Sequence, residues 1–337
     1  MSYYLSTVLI FFGVDLLAAW ALNIQFGWAG IPNFAFIIFQ AIGAYAAAVV
    51  SLGPDSGANS FQSYIIGASL PFPLPLLVAA LAGAALALVL GVIATMRLRR
   101  DYQAAVFLLI AVIASQVVSG DVGLFNGSNG LAAVPQPLSG ALSSLSLGQY
   151  QWVYAGFTTV VAILVLLFIR RIGHSGWQRA LRASRDDEAA ARSLGLNVAA
   201  LRLQVFVLGG AIAGLSGGLL VGFIAAWSPA GWGYAETFAV LTGIILGGVG
   251  NNWGVLVGTF LVQIVFIEVP SFLPEFGYPG LIDKLEWIVI GFLWLAVLIL
   301  RPRGIIPERR YRVKTDADGA APEPRYELGA GVGVGGS

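Results

Sequence analysis

Side chains able to do acid–base, nucleophilic or metal chemistry are scarce in this sequence of 337 residues. Cysteine is absent and His174 is the single histidine, so neither a disulfide, a thiolate site nor a histidine cluster can form. His174 stands beside Arg170 and Arg171 without a converging acid, base or nucleophile, which makes an interfacial residue a simpler reading than a membrane enzyme. The lysines fall in "DK" (Asp283, Lys284) and "VK" (Val313, Lys314), so no Gly-Lys-Ser/Thr nucleotide loop is encoded. If the protein does work, the energy comes from another subunit or from an ion gradient.

Ionic side chains do gather in one internal stretch, "RALRASRDDEAAARSLGLN", from Arg179 to Asn197. That chemistry is electrostatic docking. Ser184 opens an S-R-D-D arrangement in which it can cap a helix start while Asp187 returns to the Ser184 amide, and Asp186, Asp187 and Glu188 suit the positive end of a helix dipole. Glu188 precedes Arg192 by four residues, the favourable direction for a helical ion pair, and Gly195 supplies a left-handed stop. The spacing predicts a helix over 185–194, ~15 Å long at about 1.5 Å per residue. Arg185 leads it, and Ala189, Ala190 and Ala191 give it a smooth flank that another surface can approach closely. An ordinary solvated loop helix is the competing reading.

A second polar group carries no charge. Gln25, Gly27, Gly30 and Asn33 lie in "NIQFGWAGIPNF", and Gly247, Gly248 and Gly250 in "GGVGNNWG". Both stretches interrupt apolar runs, and irregular backbone survives at membrane depth only when buried in protein or lining a cavity. Their free amides and carbonyls could hold the polar groups of a solute, which makes them candidate substrate-path residues. Asn251 and Asn252 read more simply as turn residues.

The elements that must position these groups are helices in lipid. The chain is 58% hydrophobic and 10% charged, with mean hydropathy +0.84, against about a quarter charged residues in soluble domains. Segments such as "LLVAALAGAALALVLGVIATM" (Leu76 to Met96) are apolar on every face, which excludes the alternation of a transmembrane barrel. The sequence predicts an all-α polytopic membrane protein with about 8–10 transmembrane helices. Nine are counted: 3–24, 33–52, 73–96, 103–119, 151–169, 202–226, 236–249, 253–269 and 285–300. The seventh and eighth are short, so broken or half-spanning helices are expected there and at the interruption after the first. That first segment lacks a basic lead and a small-residue cleavage site, and reads as a retained span.

Arginines fix the orientation, because Lys and Arg accumulate on cytoplasmic loops. They cluster in "RLRR" (Arg97 to Arg100), in 170–202, and in "RPRGIIPERRYR" (Arg301 to Arg312), whereas 51–72, 119–150 and 227–235 hold no Lys or Arg. The C-terminus is therefore expected inside and the N-terminus outside. A single transmembrane domain over 1–304, with its charged loop at 170–202, would precede a disordered cytoplasmic tail at 305–337. "GGAIAGLSGGLLVG" (Gly209 to Gly222) reads as a close-packing helix face. Trp28, Trp152, Trp227, Trp232, Trp253 and Trp287 read as interfacial anchors near span ends.

"EAAARSLG" (Glu188 to Gly195) fits the EAA-x-x-x-G pattern of the loop by which ABC importer permeases contact their ATPases. Its setting, "GWQRALRASRDDEAAARSLGLNVAALRLQVFVLGGAIAGLSGGLL", resembles the branched-chain amino acid permease family, LivM type. "NIQFGWAGIPNFAFIIFQAIGAYAAAVV", "MRLRRDYQAAVFLL", "NGSNGLAAVPQP", "GYAETFAVLTGIILGGVGNNWGVLVGTF" and "RPRGIIP" extend the resemblance over most of 23–307. The first break departs from the family, which reads closer to GxxSLGHAAF where this chain has "GIPNFAFIIF", and Asn197 replaces the Pro of many other importers.

The resemblance implies a permease subunit of an ATP-driven importer for branched-chain or other apolar amino acids in a prokaryotic cell (inner) membrane, with urea or short amides as substrate variants. Its partners would be a second related permease subunit, two ABC ATPase subunits and an extracytoplasmic binding protein. ATP and Mg would be used by the ATPases, with no cofactor, metal or nucleic acid bound by this chain. Ser184 to Glu188, Ala189, Ala190, Arg192 and Gly195 would form the ATPase-coupling helix. The alternative is an ion-coupled secondary transporter or channel for a small polar solute, for which Asp15 is the one carboxylate near the middle of a span.

Overall fold

The computed structural model describes residues 2–54, 61–97, 100–138, 142, 144–268, scattered residues between 288 and 300, and 304–308. The N-terminal helix α1 (Ser2–Asn23) runs on into a π-helical turn, Ile24–Trp28. Next come α2 (Phe36–Ser51), α3 (Leu74–Arg97), α4 (Arg100–Gly120) and the single turn α5 (Val122–Phe125). After these follow α6 (Leu147–Gly173), α7 (Gly176–Asp186), α8 (Glu188–Ser193), α9 (Val198–Ile224), α10 (Tyr234–Gly247) and α11 (Asn252–Phe260), which continues as a π-helical stretch, Leu261–Glu268. Strand pairing among the described residues is limited to two isolated bridges. The all-α class follows from sequence because runs this apolar can satisfy their amides in lipid only within one helix.

Among the described residues five helices are long and apolar enough to cross a membrane, and six if the bent pair α10–α11 is one span. The protein is a multi-pass membrane protein. α10 and α11 meet at 120°, the broken geometry expected of the Gly-rich "GGVGNNWG". At 16 residues α2 is shorter than a full crossing, which shows the interruption before it taking residues out of the second span. The predicted ninth span, 285–300, lies largely outside the described residues, as does Trp287. α6 and α9 each reach 27 residues, ~40 Å at about 1.5 Å per residue, so both project beyond a hydrocarbon core of about 30 Å.

α9 is the buried axis, flanked by α2 and α3 and touching α1 and α6. Lipid removes the hydrophobic drive for helices to pair, so close backbone approach has to supply the packing energy. The "GGAIAGLSGGLLVG" face does this: a Cβ on Gly217 would strike the Gln40 carbonyl of α2, and one on Gly214 the Ala79 carbonyl of α3. Gly43 meets the Gly214 backbone and Gly83 the Gly210 carbonyl in the same way. Phe206 of α9 takes the edge of Phe39 at 5.5 Å and stacks on Phe107 at 5.4 Å.

The tryptophans divide. Trp152 and Trp253 are exposed near helix ends, as anchors should be. Trp28, Trp227 and Trp232 are buried, which corrects the expectation for these three. Trp28 turns its ring to the edge of Trp177 at 6.5 Å, and Trp232 Nε1 donates to the Tyr45 hydroxyl at 3.4 Å. A helix end can meet another segment of the protein as readily as it meets headgroups, and position along the chain does not distinguish the two.

Candidate functional site

The charged stretch folds as two short helices at an angle. α7 shows a buried stripe of Gln178, Leu181 and Ser184, spaced by threes so that one face rests on the bundle. Ser184 is not a cap: it lies inside α7, where its hydroxyl donates to Leu181 O at 2.8 Å. The cap is Asp187, extended at φ −147°, whose carboxylate accepts from Ala190 N at 2.9 Å. The helix expected over 185–194 is therefore divided at Asp187, with Arg185 and Asp186 closing α7. Two capping residues compete within three positions, and Asp187 prevails because the α7 stripe holds Ser184 in the helix before it.

Glu188 carries the largest share of the α8 fold. One carboxylate oxygen accepts from Arg192 Nη2 at 2.6 Å, the expected i,i+4 pair, and the other from Arg202 Nη2 on α9 at 2.8 Å. Arg202 is nearly buried. Gly195 follows with φ +81° and open space around its α-carbon, so the backbone alone selects glycine there. Asn197 accepts from Ala200 N at 3.0 Å and caps α9, a task that proline, with no side-chain acceptor, could not perform. Ala191 packs inward, while Ala189, Ala190 and Leu194 face out, Leu194 with 79% of its surface free. Leu194 is an exposed apolar side chain at the tip of the loop that no local pattern of residues singles out.

The two uncharged groups come together at the same end of the bundle. Gln25 Nε2 donates to Phe206 O at 3.0 Å, and Asn33 Nδ2 donates to Gln25 Oε1 at 2.7 Å. Asn33 Oδ1 accepts from Ala35 N at 3.1 Å and starts the turn into α2. Gly30, at φ +66°, ends the π-helical turn, with Ile31 N donating to Gln25 O at 3.0 Å. Across from it Asn23 Oδ1 accepts from Gly250 N at 2.9 Å. Gly247 and Gly248 lie at the end of α10, and Gly250, at φ +82°, begins the return into α11. All seven predicted path residues thus sit in one junction, most of them buried, with the Gln25 and Asn33 side chains hydrogen-bonded.

Arg185 links this junction to α7. Its Nη1 donates to Gly27 O, its Nη2 to Glu308 Oε2 at 3.0 Å, and its Nε to Asp186 Oδ1 at 3.1 Å. Burial pulls the Arg185 guanidinium pKa down, but Glu308 and Asp186 outweigh it and leave the group above its ordinary value. Glu308 also pairs with Arg182 Nε at 2.8 Å. It lies in the segment expected to be disordered. Residues 304–308 are instead packed against α10, and the rest of the tail falls outside the described residues. Among the described residues no group of three or more His, Asp or Glu could hold a metal ion.

Two cavities lie away from this junction. One, about 700 Å³, opens between α6, α7 and α9 beside Arg171, His174, Trp177 and Gln204. The other, about 490 Å³, lies at the opposite ends of α2, α3 and α9 beside Ser51, Ser69 and Gln136. None of the predicted path residues lines either.

A family model described as "Branched-chain amino acid transport system / permease component" matches residues 4–298. The chain is 27% identical to a probable branched-chain amino acid transport permease protein LivM of Methanocaldococcus jannaschii, over 90% of this chain and 94% of that protein. It is 29% identical to the high-affinity branched-chain amino acid transport system permease protein LivM of Salmonella typhimurium, over 87% of this chain and 68% of that one. To the corresponding LivH of Escherichia coli K12 the identity is 26%, over 88% of this chain and 94% of that protein. No solved structure matches.

Proposed function

The chain belongs to the branched-chain amino acid transport system permease family, and from that premise we propose that it is one membrane half of an ATP-driven importer for branched-chain or other apolar amino acids. A related permease subunit completes the path, an extracytoplasmic binding protein delivers the substrate, and two ATPase subunits supply the energy that this chain has no nucleotide loop to harvest. The loop carrying α7 and α8 faces the cytoplasm with the C-terminus, and the N-terminus lies outside.

One observation carries this reading. α8 presents Ala189, Ala190 and Leu194 outward while Glu188 fastens it to Arg202 at the foot of α9. An exposed, smooth, apolar edge on a firmly held helix suits a protein partner that pushes. Push α8 and the force reaches the buried axis of the bundle directly. The broken segments at Gln25–Asn33 and Gly247–Gly250 then serve as the gate: Gln25 is bonded to Asn33 and to the Phe206 carbonyl, and Gly250 N to Asn23, and rearrangement would free such amides and carbonyls for the substrate's charged ends.

The test is ATP-driven L-leucine uptake by the assembled complex carrying Ala190→Glu or Leu194→Asp. Uptake should fall to background while the chain reaches the membrane at its normal level, because both changes lie on the outer edge and disturb no internal contact. Undiminished uptake in both variants would refute the docking role. Uptake by the unaltered complex that survives ATP depletion and collapses with the proton gradient would favour an ion-coupled transporter.

A further inference from the structure

The C-terminal motif "RPRGIIP" and the Glu308 that follows it belong neither to the docking edge nor to the breaks, yet residues 304–308 contact both α7 and the α10–α11 break. Residues 304–308 lie as a strap across the turn between α10 and α11. Ile305 N donates to Leu246 O at 2.9 Å and Ile306 N to Gly247 O at 2.8 Å, occupying carbonyls that the end of α10 leaves without helical partners. Asn251 Nδ2 donates to Ile306 O at 3.2 Å and Pro307 O at 3.3 Å. Gly250 leaves room for the strap's end, since a Cβ there would stand 2.8 Å from Glu308 Cδ.

From the strap, Glu308 reaches across to α7. Its Oε1 forms an ion pair with Arg182 Nε at 2.8 Å, and its Oε2 accepts from Arg185 Nη2 at 3.0 Å. These arginines are three residues apart, on one face of the helix. Arg185 continues the chain of contacts to Gly27 O, and its Cγ would lie 2.8 Å from a Cβ on Gly30. The carboxylate thus joins α7 to the strap on the α10–α11 turn, and Arg185, which it pairs, joins α7 to the turn after α1. Covalently, α7 and α8 are attached only to α6 at His174–Ser175 and to α9 at Gly195–Asn197.

We propose that Glu308 is the positioning residue that passes movement of α7 to both helix breaks. With the tie in place α7, the Gly27–Gly30 turn and the Gly248–Asn251 turn move as one body. Without it Arg185 is no longer braced against Gly27 O, the α10–α11 turn loses its link to α7, and the breaks follow α7 only through the packing of its buried stripe. A carboxylate is needed because it pairs with both guanidinium groups; an amide of the same shape leaves Arg182 without that anion and Arg185 with Asp186 only, each arginine with most of its surface removed from water. This inference rests on the reading of α7 and α8 as the contact with an ATPase.

The experiment compares Glu308→Gln and Glu308→Asp in the assembled complex, in vesicles, measuring L-leucine uptake and ATP hydrolysis together. Glu308→Gln should lose about tenfold in uptake, ~1.4 kcal/mol, while hydrolysis stays within about twofold, and Glu308→Asp, which keeps the charge, should recover most of the uptake. Amide hydrogen exchange on the same complex should show residues 27–30 and 248–251 exchanging about tenfold faster in Glu308→Gln and near the parent rate in Glu308→Asp. Equal loss of uptake and hydrolysis, or parent-like exchange at both turns in Glu308→Gln, would overturn the proposal. A parent complex that takes up no leucine would instead count against the importer reading, and the exchange comparison would then decide the tie by itself.

Discussion

Glu188→Ala removes two ion pairs of unequal depth, and the structure ranks them. Arg192 is 66% exposed, so its i,i+4 pair with Glu188 is worth about 0.3 kcal/mol. Arg202 is 9% exposed and Glu188 23%. Water still reaches the carboxylate, so the ~3–5 kcal/mol cost of stripping one partner from a fully buried pair does not apply. A hydrogen bond to a charged group in such a setting contributes about 1.5–3 kcal/mol, and ~2 kcal/mol is a fair value here. That is about 30-fold in the balance between docked and undocked α8. Amide exchange of Ala190 to Ser193 in the full-length protein should therefore accelerate up to about 30-fold in Glu188→Ala and in Arg202→Ala, and less than about threefold in Arg192→Ala. The double variant Glu188→Ala/Arg202→Ala should resemble either single one, because the two residues share the interaction. Full additivity, or an Arg192→Ala variant that opens α8 as far as Glu188→Ala does, would show that the α9 anchor is not what holds the helix.

Other substitutions separate backbone from side-chain causes. Gly195→Val should weaken the α8–α9 turn by ~1–2 kcal/mol through its left-handed conformation alone, with Gly195→Asn losing less than half of that, both read by amide exchange of residues 193–198. Gly214→Leu should collapse the yield of monodisperse protein in detergent, because its side chain has to displace the Ala79 carbonyl of α3, whereas Gly156→Leu on α6, where an added Cβ meets nothing within 4 Å, should leave the yield unchanged.

The helical class, most of the helix positions and the Glu188–Arg192 pair were legible because each is written locally, in apolar runs or in a four-residue spacing. The Gly209–Gly222 packing face was legible for the same reason: small residues repeat at helical period and lipid leaves them one main use. What escaped is long-range. Arg185 and Glu308 are 123 residues apart, and Gln25 and the Phe206 carbonyl 181 apart; no period or propensity links them. The division of the coupling helix at Asp187 was missed because Ser184 is an equally good cap in isolation, and only the burial of the α7 stripe decides between them. The short segment after Gly304 read as tail because it lies beyond the last apolar run, while its order comes from carbonyls that α10 leaves open.

The glycine contacts of α9 bear on how the protein can move. α2 presses its backbone on one flank through Gln40 and Gly43, and α3 on the other through Ala79 and Gly83. A helix gripped by main chain on both sides has no side-chain layer to slip on and cannot roll about its own axis. Whatever load enters at Arg202 is then carried by α2, α3 and α9 travelling together like a single piston, which leaves relative movement to the elements outside this trio.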